Sequence, residues 1–184
     1  MNIFDAAFLG NVERVRGYIQ EERDLNIQNE QGDTPIHRAV MGVAFARDVV
    51  IGEGDRAREG LRELIAAGAN LNMRNRVGQC APLHIAASYN RLDVVHMLIA
   101  GNADIHIRDQ FGNTPLHIAA LLNNVDIFRE LTEAGANLDI QNDRGEIPLE
   151  IAEKKNNQNI INFINQFNKS KLIKIRQRLN LAKG

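Results

Sequence analysis

Every proline in the 184-residue chain falls in one short phrase. Thr34-Pro35-Ile36-His37, Ala81-Pro82-Leu83-His84, Thr114-Pro115-Leu116-His117 and Ile147-Pro148-Leu149-Glu150 are variants of a single motif. The last three prolines stand 33 residues apart, while the first two are separated by 47. A fixed period of this size marks a solenoid, in which each unit is too small to bury its own apolar face and must stack on a neighbour. A chain of this length holds about five such units.

The phrase continues in the same way in each unit. Asn113-Thr114-Pro115-Leu116-His117-Ile118-Ala119-Ala120 is followed by Val125, Ile127, Phe128 and Leu131, then by Gly135-Ala136-Asn137-Leu138-Asp139. The preceding unit gives Pro82-Leu83-His84-Ile85-Ala86-Ala87, Val94-Val95, Leu98-Ile99 and Ala103-Asp104-Ile105-His106. On these residues the chain resembles the ankyrin-repeat family over residues 1–167. The resemblance implies an all-α repeat solenoid, an ankyrin-like stack of helix-turn-helix units with projecting β-hairpin loops. The units then read as about 1–29, 30–75, 76–108, 109–142 and 143–167, with a basic amphipathic C-terminal helix over 168–184.

Local chemistry fits that organisation. Thr34 and Thr114 are residues that cap helices, and the proline after each suits the first helical position. Ala39, Ala86-Ala87 and Ala119-Ala120 let two helices of a unit approach closely, and Val94, Val95, Leu98 and Ile99 make the apolar stripe of a second helix. Gly68 and Gly135 stand where helices end in a left-handed turn, with Asn102 and Glu22 in that place in other units. Gln31-Gly32-Asp33, Phe111-Gly112-Asn113 and Arg144-Gly145-Glu146 carry glycine at the hairpin turn. The first and last units depart from the phrase, as units with one face to water do.

Composition bounds the function. The net charge is −1, with 22 basic and 23 acidic residues. From Lys154 onward there are eight Lys or Arg and no Asp or Glu; before it, 14 basic residues face 23 acidic ones, a net of −9. The single cysteine, Cys80, leaves no disulfide framework and suits a reducing compartment. No apolar run approaches a membrane span, and Met1-Asn2-Ile3-Phe4-Asp5 lacks the basic start of a signal peptide. The expected location is cytoplasmic.

Metal, cofactor and nucleophile chemistry are not expected. His37, His84 and His117 belong to the repeat phrase, and the family resemblance implies that each imidazole bonds to neighbouring loop backbone. Equivalent positions in successive units are about 10 Å apart, the spacing of packed helices, so they do not converge on a zinc ion. His96 and His106 lie outside the phrase, and Cys80 has no neighbouring base in sequence. There is no phosphate-binding glycine loop and no metalloprotease motif. The chain does not read as an enzyme, and no small-molecule substrate or cofactor is implied.

Recognition of a protein partner is the expected function, through the hairpin tips and the exposed face of each first helix, which the resemblance places along a concave groove. Arg76, Val77, Gln110, Phe111, Asn113, Asp143 and Arg144 are tip positions; Ser88, Tyr89, Leu121 and Leu122 are first-helix positions. Phe111, Leu121 and Leu122 are apolar where water-facing residues are usual, and with Tyr89 and Val77 they make a candidate patch. Packing of Leu121 or Leu122 on the adjacent unit is the competing reading.

Two segments break the period. One extra residue falls between Gly78 and Pro82, and the remaining 13 fall within residues 42–60. Val40, Val43, Arg47 and Val50 lie at helical spacing, which extends the first helix of the second unit. Gly52-Glu53-Gly54-Asp55 reads as a turn, and Arg56-Ala57-Arg58-Glu59 extends the second helix backwards. This insertion is either a private binding feature or an elongated helical hairpin. In the tail, Leu172, Ile175 and Leu179 share a face among lysines and arginines. It reads as a cap on the last unit, with contact to membrane or nucleic acid through 169–184, or a partner-binding arm, as the less favoured readings. The Lys-, Asn- and Ile-rich run 154–162 is what A/T-rich codons specify, as in host-associated bacteria whose ankyrin-like proteins enter host cells. Asn72 reads as a loop-stabilising residue.

Overall fold

The computed structural model describes the backbone of residues 1–46 and 53–181, with side chains described within 1–46 and 54–169. Among the described residues there are ten helices and no strand: α1 (Ile3–Phe8), α2 (Val12–Gln20), α3 (Pro35–Phe45), α4 (Glu53–Ala66), α5 (Pro82–Ser88), α6 (Leu92–Ala100), α7 (Pro115–Leu122), α8 (Val125–Glu133), α9 (Pro148–Lys154) and α10 (Gln158–Leu181). The odd-numbered helices form an inner row in which α1 packs on α3, α3 on α5, α5 on α7 and α7 on α9. The even-numbered helices form an outer row with the same nearest-neighbour order, and each odd helix packs on the even helix that follows it. This is an open all-α solenoid, in which each pair gains its core from the next.

The alanines are the closest points of that packing. Ala39, Ala86, Ala87, Ala119 and Ala120 have no exposed surface, and neither do Val94, Val95, Leu98, Ile127, Phe128 and Leu131 on the outer row. Each proline occupies the first helical position after an extended cap residue, where its missing N–H costs nothing. The outer helices α2, α4, α6 and α8 are followed by left-handed residues at Glu22, Gly68, Asn102 and Gly135. The glutamate adopts that conformation at a cost of about 1 kcal/mol relative to glycine.

The second pair is longer than the third. Helix α3 has 11 residues against 7 in α5, and α4 has 14 against 9 in α6. Helix α3 passes the end of α1 at Gly42, where a Cβ would collide with the Phe8 carbonyl. Glycine there lets α3 run on for another turn. The expectation of a turn over Gly52–Asp55 needs correcting, since α4 already begins at Glu53. Asp55 is an acidic residue in the first helical turn, where it complements the backbone dipole. Arg47, Val50 and Gly52, also named in that expectation, lie outside the described residues.

The tail is not a separate helix. Residues 168–181 continue α10, which is 24 residues long and about 36 Å at the usual helical rise. Leu172, Ile175 and Leu179, the apolar face of the expected cap, have side chains outside the described set.

Candidate functional site

Each hairpin is a tight turn closed by its first residue. Asn29, Asp109 and Asn142 each accept two backbone N–H bonds at one side-chain oxygen, from Gln31 and Asp33, Phe111 and Asn113, and Arg144 and Glu146. The extra residue of the Asn75 hairpin is Gln79, which is left-handed, so Asn75 reaches Cys80 instead. These turns are closed by one or two backbone bonds rather than by a strand ladder. One backbone bond then joins each finger to the next: Arg76 N–H to the Gln31 carbonyl (2.8 Å), Gln110 N–H to Gly78 (2.9 Å) and Asp143 N–H to Phe111 (3.0 Å). The fingers are also in side-chain contact, because a Cβ on Gly112 would meet the Asp143 carboxylate and the Arg108 guanidinium.

Beneath the fingers the repeat-phrase histidines bridge the units. The Thr34 N–H donates to His37 Nδ1 at 3.1 Å, and Thr34 Oγ1 lies 2.8 Å from the same nitrogen. A backbone N–H can only donate, so Nδ1 is unprotonated and Nε2 carries the hydrogen. That hydrogen points at the Cys80 carbonyl of the next finger, 3.0 Å away. His84 repeats the bridge from the Ala81 N–H to the Asn113 carbonyl, and His117 from the Thr114 N–H to the Glu146 carbonyl. Burial lowers the pKa of all three imidazoles, and their carbonyl partners offset it only in part. They are neutral struts. In the last unit Glu150 Oε2 takes over the Nδ1 role on the Ile147 N–H.

Of the eleven tip and first-helix residues named from the sequence, ten are exposed and Asn113 is half-buried. Val77 is 66% exposed and Leu122 46%, so Leu122 is not consumed by packing on its neighbour. Arg76 reaches the Glu30 carbonyl, Ser88 Oγ donates to the His84 carbonyl, and Asp143 is bonded to Arg108 at 2.9 Å. Gln110 contributes its backbone to the finger–finger bond.

The apolar candidates do not gather in one cleft. Phe111, Leu121, Asn113 and Arg144 line one cleft of about 450 Å³ with Asn142, Glu146, Ile151, Lys154 and Lys155. Tyr89 does not join them. Its ring stacks edge-on against Phe45, 4.9 Å between centroids, and Phe45 lies 6.3 Å from Phe8, which carries the Arg38 guanidinium. The aromatic row was hidden because Phe45 sits in the extra turn of α3, outside the repeat register. Lys154 and Lys155 occupy the same first-helix positions as Leu121 and Leu122, a correspondence that the 33-residue period makes readable.

His96 Nε2 lies 2.9 Å from Glu130 across α6 and α8, and His106 accepts from the Asn137 N–H. Asn72 accepts from the Asp104 N–H of the following loop. Burial, then the charges of Asp109 and Asp33, pushes the Cys80 thiol up and away from the reactive thiolate. No group of three potential metal ligands occurs among the described residues, and no helix there is long and apolar enough to cross a membrane.

The two-row stack, the finger bonds and the histidine bridges are accompanied by a direct sequence match. A family model described as Ankyrin repeats (3 copies) matches residues 3–109 and 83–173. The chain belongs to the ankyrin-repeat family. Ankyrin repeats are protein–protein interaction modules, and nothing in the match indicates catalysis. Similar proteins include an ankyrin repeat protein of Fowlpox virus (strain NVSL), 33% identical over 50% of this chain and 13% of its own length. Neurogenic locus notch homolog protein 1 of Danio rerio is 32% identical over 54% of this chain and 4% of its own. RelA-associated inhibitor of Mus musculus is 32% identical over 56% and 11%. The chain therefore spans a small part of the relatives it matches.

Proposed function

We propose that this ankyrin stack is a scaffold that binds a partner protein along its fingers and inner helices. The observation that carries the reading is Phe111. Its N–H is held by Asp109 and its carbonyl by the Asp143 N–H, yet its ring is 55% exposed and has no ring partner among the described residues. A large apolar side chain fixed on a bonded tip loses little entropy when it is covered. Leu121 and Leu122, exposed at the end of α7, add apolar surface of the kind that concentrates binding energy. Charged tips, Arg76, Asp143 and Arg144, supply the rim that sets partner choice. The name of RelA-associated inhibitor describes association with a protein, and that supports the same use here. The finer setting, a bacterial protein acting on host proteins, draws its support from the residue bias of 154–162.

The test is a pulldown read by mass spectrometry, with wild type beside a Phe111→Ala/Leu122→Asp variant. The expected result is a partner captured by wild type and lost from the variant, with a melting temperature within about 2 °C of wild type, as for exposed substitutions. Equal capture by both proteins would remove these residues from the site.

A further inference from the structure

We propose that the cleft between the last two fingers takes a short acidic protein segment that also presents an apolar side chain. This rests on the scaffold reading and names the chemistry of the partner. The cleft has an apolar floor of Phe111, Leu121 and the buried Ile151. Its volume, about 450 Å³, lies in the range of sites that enclose small ligands, so it accepts a few residues of extended chain rather than a folded surface.

The charge around that floor selects the rest. Three cations line the cleft, Arg144, Lys154 and Lys155, against one carboxylate, Glu146. Glu146 is already committed: Lys154 Nζ lies 2.6 Å from Oε1 and Asn142 Nδ2 donates to Oε2 at 3.2 Å. Arg144 and Lys155 form no salt bridge among the described residues, and Arg144 meets Glu146 only as a nearby charge that Glu146 shares with Lys154. A neutral apolar segment would cover those two cations without answering them, and a basic segment would be repelled. A nucleic acid fits less well, because the floor is largely aliphatic and the exposed Asp143 stands on the same finger as Arg144.

The test is selection of binders from a display library of random dodecapeptides on the whole chain. Selected peptides are then measured by fluorescence anisotropy against wild type, Arg144→Glu/Lys155→Glu and Phe111→Ala/Leu122→Asp. The expected result is enrichment of acidic peptides with one or two Leu or Phe. Their affinity should drop about tenfold or more in the charge-reversed variant, whose melting temperature stays put, and fall as salt is raised. Enrichment of neutral or basic peptides overturns the proposal, as does binding indifferent to Arg144→Glu/Lys155→Glu. Binding of a single-stranded oligothymidylate that is lost on charge reversal, with no peptide enriched, also overturns it. Neutral peptides that are lost only from the Phe111→Ala/Leu122→Asp variant would sink the acidic segment and leave the scaffold standing. No selected peptide together with no captured partner would sink both.

Discussion

At the finger bases neighbouring units are joined by His37, His84 and His117, each buried and each bonded to a carbonyl of the next finger. Along the outer helices they are joined by partly exposed ion pairs instead, Arg16 to Glu59 and Glu63 and Arg58 to Asp93, with His96 set beside Glu130. The two edges hold the same stack by different physics. A buried neutral hydrogen bond is directional, indifferent to salt and costly to leave unmade. An exposed ion pair tolerates shifts in geometry, is screened, and contributes little. The finger edge is therefore the rigid one, and it is the edge that carries the exposed tips.

Removing one strut breaks the comparison most sharply. His84→Ala leaves the Ala81 N–H without a partner in a buried site and removes one of two bonds from the Asn113 carbonyl, which keeps the Asp109 N–H. One buried orphan at about 1–3 kcal/mol, together with a second lost hydrogen bond at about 1 kcal/mol, gives an expected loss of about 3 kcal/mol. Thermal unfolding should register this as roughly 2–4 °C per kcal/mol for a chain of this size. A loss below about 1 kcal/mol would mean that the fingers are held by something other than the imidazole.

Acid should act on the same edge. The three imidazoles have folded pKa values below the ordinary 6.5, so the unfolded chain takes up protons first as pH falls. Their contribution is complete above about pH 6.5 and declines as pH drops through the lowered folded values. Each can remove at most about 1.4 kcal/mol per pH unit. Nearby charges bear on each: Asp33 for His37, Asp109 and Arg74 for His84, and Asp109 and Arg108 for His117. Urea midpoints above and below pH 6.5 measure the slope, which His84→Ala should flatten. A midpoint that rises on acidification would contradict the tautomer assignment.

The same contrast explains what the sequence revealed. The finger edge repeats one residue at one register, so period and phrase located the histidines, the family resemblance implied their bonds to loop backbone, and Gly32, Gly112 and Gly145 were legible as turns. The outer ion pairs use a different residue at every step, and no repeat position announces Arg58 with Asp93. The candidate surface was legible as exposure, since the tips and the ends of the inner helices follow the period. Its division was not: Tyr89 turns to Phe45, and Phe45 belongs to a turn of α3 that the repeat lacks. Tertiary placement of an insertion is invisible to a periodic reading.

On the outer edge, Asp93 is the pair to break. Burial alone would raise its pKa, but bonds from Arg91 and Arg58 prevail and hold it at about 2. Its contribution is present above its ordinary 3.8 and lost as pH falls through about 2. The group is more than a third exposed, so Asp93→Asn should cost only about 1 kcal/mol. Urea unfolding at low and high salt should show that difference shrinking, whereas the His84→Ala difference should not change. A salt-independent Asp93 effect would erase the distinction between the two edges.

The smallest stability effects come from two phenylalanines of nearly equal exposure, Phe45 at 53% and Phe111 at 55%. Exposure alone would treat them alike. Phe45 has ring neighbours on both sides, Phe8 and Tyr89, while Phe111 has no ring contact among the described residues. Aromatic pairs contribute roughly 0.5–1.5 kcal/mol beyond area, so Phe45→Ala should cost about 1 kcal/mol. Phe111→Ala should stay within about 0.5 kcal/mol, as surface substitutions do, and show itself in partner capture instead. Thermal unfolding of the two variants beside their pulldowns separates packing from recognition at the same accessible area. If Phe111→Ala proved the more destabilising, its ring would be part of the stack, and the cleft it lines would lose its claim to be held open for a partner.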